Sequence, residues 1–166
     1  MIAVLLAAAL AGSCYLPPVA APIAVPYVQP ACTYCPGHRG VRYDLLAGTE
    51  VVAAAAGTVT FAGSVAGTRY LVILQVDGLR ATYGSLAAHS LSIGQVVSQG
   101  AVVGHSGAQL YFGLRRADGS PIDPTTLLGR LEGRPRLVPA DGGAPRRGPE
   151  PRLVCAVSLP QAARPP

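Results

Sequence analysis

Apolar and polar residues alternate with a period of two through "AQLYFGLR" (108–115), so Leu110, Phe112 and Leu114 share one face of a strand and Gln109, Tyr111 and Gly113 the other. Four more short apolar units precede it, each ended by a glycine-containing turn or a polar break: "EVVAAAAGTVTFAG", "TRYLVILQVDG", "LRATYGSLA" and "SLSIGQVVSQGAVVGHSG". The last reads as strand, turn and strand, with Gly94 and Gly100 supplying tight turns and Val96, Val97, Val102 and Val103 expected to face a core. The alanine run 53–56 is short, and Gly57 with the β-branched residues after it argues against a helix there. The pattern predicts an all-β, antiparallel domain with one buried sheet face.

The flanks read differently. Residues 14–36, "CYLPPVAAPIAVPYVQPACTYCPG" up to Pro36, hold too many prolines for a helix or a central strand and predict an extended lead-in lying against the domain. Beyond "DPTTLLGRL" the periodicity fades, so residues 130–166 are expected to be mostly irregular. At the other end, residues 1–13 read as an export signal, with an apolar run from Ile2 to Ala11 and the small Gly12 and Ser13 after it. That run is short for a membrane span, and it lacks the basic residues that usually precede such a run, the first arginine being Arg39. Export would place the chain outside the cell or at its wall and membrane. Cys14 in "AGSC" is a candidate lipid acceptor and membrane anchor.

Composition sharpens this picture in three places. All 13 basic residues are arginine, and the net charge is +5. Residues 1–129 carry six arginines against five acids and residues 130–166 seven against three, so the excess lies in the tail. No aromatics interleave with those arginines, which argues against nucleic acid as a partner. With Cys14 removed or lipidated, three cysteines remain; Cys32 and Cys35 are expected to close a local disulfide in "CTYC", leaving Cys155 free.

Across residues 37–129 the chain resembles the lysostaphin-type (LytM-like) zinc endopeptidases, which cut peptide cross-links in bacterial cell walls. The resemblance is carried by "HRGVRYDLLAGTEVVAAAAGTVTFAG", "DGLRATYGSL", "LSIGQVVSQGAVVGHSG", "LYFGLR" and "IDP", in that order and with matching turn glycines. It implies a compact β-sandwich of the barrel-sandwich hybrid type, the duplicated hybrid motif. It resembles most an exported version with a proline-rich lead-in and the segments "RGVRY", "YGSLA" and "FGLRR".

The resemblance also implies a zinc site, and there the residues depart from it. In the family a His and an Asp of His-x-Gly-x-Asp, and the second His of a later His-x-His, hold the metal. His38 is retained; Arg42 stands at the Asp position and Tyr111 at the second His. Gln109 stands at the first His of the pair and Ser85 at a further catalytic His, both helpers in the family. Arginine is always protonated and has no lone pair to give, whereas a catalytic zinc takes three protein ligands and an open fourth position. One ligand of three does not make that site, so no zinc or other cofactor is expected. Asp44 shares a face with Arg42 in an extended segment and is a candidate replacement carboxylate. His105, in a turn before Gln109, is another candidate; His89 falls in a surface loop. The alternative to a rebuilt site is a vestigial cleft of His38, Arg42, Asp44, Ser85, Gln109 and Tyr111, with Arg42 and Tyr111 as a polar pair where the metal would sit.

Two functions follow as expectations. One is a non-enzymatic wall module that binds a peptidoglycan peptide or regulates a wall hydrolase. The other is a zinc endopeptidase with a rearranged site drawing on His38, Asp44 and His105. A lipoyl- or biotinyl-type carrier, suggested by the "LSIGQVVSQGAVVG" hairpin, is excluded because the chain has no lysine to modify.

Overall fold

Short alternating runs separated by glycines fold as strands. The computed structural model describes residues 14–32, 34–133 and 151–155. In chain order the strands are β1 (Val41–Asp44), β2 (Glu50–Val52), β3 (Gly57–Val65), β4 (Thr68–Gln75), β5 (Arg80–Ala88), β6 (Val96–Val97), β7 (Val102–Arg115), β8 (Pro121–Ile122), β9 (Arg130–Glu132) and β10 (Arg152–Val154), with one 3-10 turn at Pro124–Thr126. The main sheet runs β1-β7-β5-β4-β3-β6, and β2 and β8 also pair with β7. Every pairing between these strands is antiparallel. The expected all-β, antiparallel architecture is the one observed.

The long strand β7 organises the rest. Leu110, Phe112 and Leu114 are fully buried and meet Val41, Leu71, Ile73 and Tyr83 in one core. Ala53 and Ala54, from the alanine run, lie in that core outside any helix, and the Ala54 amide donates to the Tyr83 hydroxyl at 2.8 Å. Glycine is required where φ is positive: Gly94 at 88° and Gly100 at 81° make the two turns read from sequence. The valines around them divide instead of all facing inward. Val97 and Val103 are buried, whereas Val96 and Val102 are exposed, because adjacent residues on a strand point to opposite faces.

The lead-in lies against the domain as expected. Leu16 N donates to Ala54 O, and Val52 N to Pro18 O. Further on, Val25 bridges Arg42 and Val28 bridges His38, so residues 25–28 run beside the start of β1. Tyr15 is fully buried and its hydroxyl donates to Asp77 at 2.7 Å.

Two expectations about the ends are corrected. Cys155 is not free: it forms a disulfide with Cys14, while Cys32 and Cys35 form the local one. The pairing arises because Tyr15 N donates to Leu127 O and Gly129 N to Tyr15 O, which brings the start of the lead-in to the β9–β10 ribbon that leads into Cys155. A sulfur held in that disulfide is not available for a lipid thioether. The region read as irregular also contains this ribbon, in register Leu153↔Leu131. The export signal at residues 1–13 lies outside the described residues, as does most of the basic tail. No helix among the described residues is long and apolar enough to cross a membrane.

Candidate functional site

Burial of Leu110, Phe112 and Leu114 turns Gln109, Tyr111 and Gly113 toward the opposite face of β7. The register with β1 then decides their neighbours: Arg42 pairs with Tyr111 and Asp44 with Gln109. On the other side of β7, Gly84 of β5 pairs with Tyr111. The next residue, Ser85, sits at a bulge with φ of 62°, a left-handed conformation uncommon for a side-chain-bearing residue. His38, just before β1, meets Tyr111 edge to face with ring centroids 5.9 Å apart. The sheet therefore gathers Arg42, Asp44, Gln109 and Tyr111 on neighbouring positions of β1 and β7, with His38 just before β1 and Ser85 at the adjoining bulge of β5.

His105 is elsewhere. It pairs with Glu50 on β2 and Ala88 on β5, and it is exposed. His89 follows β5 in a loop, and its Nδ1 has no hydrogen-bond partner among the described residues. Neither contributes to the cleft, because β7 is extended and carries His105 away from Gln109 at about 3.4 Å per residue.

The contacts within the cleft differ from the expected Arg42–Tyr111 pair. Arg42 Nε lies 3.4 Å from Asp44 Oδ1 as an ion pair, without the geometry of a hydrogen bond. Residues i and i+2 of one strand share a face, and a carboxylate offers the guanidinium more than a neutral phenol does. Both side chains are well exposed, so the pair contributes about 0–1 kcal/mol and fixes position more than stability. Asp44 is thereby committed to an arginine instead of standing in for the missing carboxylate.

Tyr111 packs instead against glycines. A Cβ at Gly40 would lie 2.8 Å from its Cε2 and Cζ, and one at Gly113 would lie 2.6 Å from its hydroxyl. Tyr70 similarly covers Gly84, where a Cβ would lie 2.6 Å from the Tyr70 Cε1. Burial pushes the Tyr111 phenol up from its ordinary value, with Arg115 opposing the shift, Tyr70 adding to it, and Arg39 and Tyr27 acting more weakly in opposite directions. The ring is thus a neutral aromatic filler at neutral pH. Gly113→Ala should displace it and cost about 1–3 kcal/mol in denaturant unfolding. In a Tyr111→Ala background the same substitution should cost almost nothing; equal costs in both backgrounds would contradict the packing.

Do these residues suit the zinc that the resemblance implies? His38 does: Pro26 O can only accept, so the 2.9 Å contact makes Nδ1 the donor and leaves the lone pair on Nε2. That is how metal-ligating histidines are commonly oriented. The rest do not. Arg42 brings a permanent positive charge, Tyr111 is held protonated by burial, and Gln109 and Ser85 are neutral and weak donors. Among the described residues no three His, Cys, Asp or Glu side chains converge on a common point. The donor set does not fit the metal.

Sequence reasoning missed Tyr70, Tyr27, Gly40 and Gly113 as shapers of the cleft. A signal existed for one of them: Gly113 lies two residues from Tyr111 on the same strand face, leaving room for a ring to lie down along it.

Comparison with known proteins bears on both fold and site. The sequence model of peptidase family M23 matches residues 36–124. An uncharacterised protein of Mycobacterium tuberculosis is 36% identical over 114 residues, covering 63% of this chain and 45% of that protein. One from Haemophilus influenzae is 39% identical over 94 residues, covering 52% and 23% respectively. The chain thus spans less than half the length of these relatives. Among solved structures, Helicobacter pylori Csd3 is 28% identical with a TM-score of 0.62, covering 70% of this chain and 33% of that one. The catalytic domain of the antimicrobial peptidase lysostaphin from Staphylococcus simulans is 21% identical with a TM-score of 0.55, covering 63% and 90%, a likeness of fold.

Proposed function

The chain belongs to peptidase family M23, and from that premise we propose that it serves as an exported, wall-associated binding module of the family, holding a peptidoglycan peptide or a wall hydrolase without cleaving. One observation carries this reading: the ring of Tyr111 lies over Gly40 and Gly113 beside an Arg42–Asp44 ion pair, at the positions where the family places metal ligands. A catalytic zinc needs three donors, and this face offers one. The cleft still has the means to hold a peptide, since its tyrosines present flat apolar surface and its arginine a fork for carboxylates. Export is supported by the two disulfides, which persist in oxidising compartments. The wall as the place of action is supported by the activity that the resemblance to lysostaphin-type endopeptidases implies.

A second reading, a zinc endopeptidase with a rearranged site, draws on the His38 orientation alone. Incubation with purified peptidoglycan separates the two. The binding module should sediment with the polymer and release no new free amines, with or without added zinc. Zinc-dependent amine release that is abolished by a chelator would overturn it in favour of the peptidase.

A further inference from the structure

The outward face of the main sheet continues past Tyr111 to β3, where one irregularity decides what it presents. Val59 is buried, so strict alternation would turn Phe61 inward as well. A bulge between Val59 and Phe61 shifts the register instead. Phe61 then pairs with Val72, which alternates with buried Leu71 and Ile73, and it is 37% exposed. The next outward row runs laterally across β3, β4, β5 and β7 as Gly63, Tyr70, Gly84 and Tyr111. Rings lie across the glycines of this row. A Cβ at Gly63 would lie 3.3 Å from the Phe61 Cζ, and one at Gly84 2.6 Å from the Tyr70 Cε1. Tyr111 covers Gly113 in the same way, and its phenol is close enough to that of Tyr70 for each to act on the other. Neighbouring strands are about 4.8 Å apart, so the rings over β3 and β5 are separated by about 10 Å. The result is a low aromatic shelf, open to solvent at Phe61 and closed at Tyr111 by the His38 ring.

We propose that this shelf is a glycan-binding platform, on which Phe61 and Tyr70 stack against the sugar rings of an uncharged, β-linked oligosaccharide and Tyr111 marks its far end. The site takes sugar, so it goes beyond the peptide-holding cleft and does not depend on it. Three features select the ligand. First, β3, β4, β5 and β7 pair with one another inside the sheet, so their backbone groups are not free to add a peptide strand. Second, the row carries no formal charge from Gly63 to Tyr111, and burial keeps the Tyr111 phenol neutral. At its margins Arg42 is matched by Asp44, and Arg80 and Arg115 donate to Ala117 O and Gly119 O in the turn after β7. A nucleic acid would stack on the same rings but needs cations along its length, which this row does not supply. Third, stacking is what the face has left to offer. The negative face of an aromatic ring attracts the C–H groups on the flat side of a pyranose, while the sugar hydroxyls project sideways and stay solvated. Rings about 10 Å apart on a flat shelf suit an extended, β-linked pair of pyranoses.

The test uses the purified full chain with a hexamer of N-acetylglucosamine, and a single-stranded thymidine oligonucleotide as the anionic comparison, both read by calorimetry. The hexamer should bind saturably, with an affinity that does not change between low and high salt. Tyr70→Ala and Phe61→Ala should each weaken it about threefold to tenfold, whereas Tyr70→Phe should keep it. Tyr34→Ala, which removes a tyrosine 96% exposed on the lead-in, should change nothing. In the unaltered chain, the hexamer should shift the ring-proton resonances of Phe61 and Tyr70 and leave those of Tyr34 in place. Absence of saturable binding, equal losses from Tyr34→Ala and Tyr70→Ala, or tighter binding of the oligonucleotide than of the hexamer would overturn the platform. Sedimentation with peptidoglycan, measured on the same samples, separates the failures. A chain that sediments but ignores the hexamer loses only the platform, and one that binds the hexamer but not the polymer keeps the platform and loses the wall-module reading.

Discussion

Joint substitution of Arg42→Asp and Tyr111→His is expected to give a chain that retains about one zinc ion after desalting, where either single substitution retains close to none. The frame for three ligands is already present. Residues 42 and 111 face each other in the β1–β7 register, and His38 sits against residue 111 with Nε2 carrying its lone pair. Arg42→Asp alone removes the adverse charge but leaves the Tyr111 ring lying over Gly40. Tyr111→His alone clears the ring but leaves a guanidinium beside the incoming cation. Together they supply two donors to the one retained. Metal analysis of the four chains reads the result, and His38→Ala in the double variant should abolish it. Retention of zinc by neither double variant nor parent would mean that the strands no longer hold ligand geometry. Hydrolysis is not expected to return with the metal, because Ser85 and Gln109 stand where the resemblance implies catalytic histidines.

Opening the terminal clasp should have the largest effect on stability. Cys14→Ser or Cys155→Ser removes a disulfide that joins residues 141 apart in sequence. In the chain-entropy account, closing a loop of that length restricts the unfolded chain by about 5 kcal/mol, and removal of native disulfides commonly costs about 2–5 kcal/mol. The folded state loses more than a cross-link, because Cys14 adjoins fully buried Tyr15, whose backbone exchanges hydrogen bonds with Leu127 and Gly129. Denaturant titration of non-reduced samples should show the drop for either variant. Cys32→Ser, which opens a loop with a separation of only three residues, should cost less. If the two disulfides contributed equally, or the long one contributed under about 0.5 kcal/mol, the clasp would not have the role its geometry gives it.

How much of this could be read beforehand depends on the range of the interaction. The two-residue alternation in β7 is local, so the inward Leu110, Phe112 and Leu114 and the outward Gln109 and Tyr111 were legible directly. Gly94 and Gly100 were legible for the same reason, since positive φ is a property of single residues. Treating Val96 and Val97 alike, and Val102 and Val103 alike, overlooked that same alternation. Partners chosen in three dimensions were not legible. Arg42 takes Asp44 on its own strand in preference to Tyr111 across from it, and Tyr111 takes the glycines. Cys14 finds Cys155 because Tyr15 and Leu128 form a bridge that no spacing rule reveals. The candidate cleft emerged as a set of positions from the resemblance, while its packing came from the lead-in folding back onto β1.

Zinc content of the unaltered, purified chain, equilibrated with excess zinc and then desalted, tests the central claim most directly. A cleft filled by Tyr111 and the Arg42–Asp44 pair should retain far less than one zinc per chain. One tightly held zinc per chain, lost on His38→Ala, would contradict it.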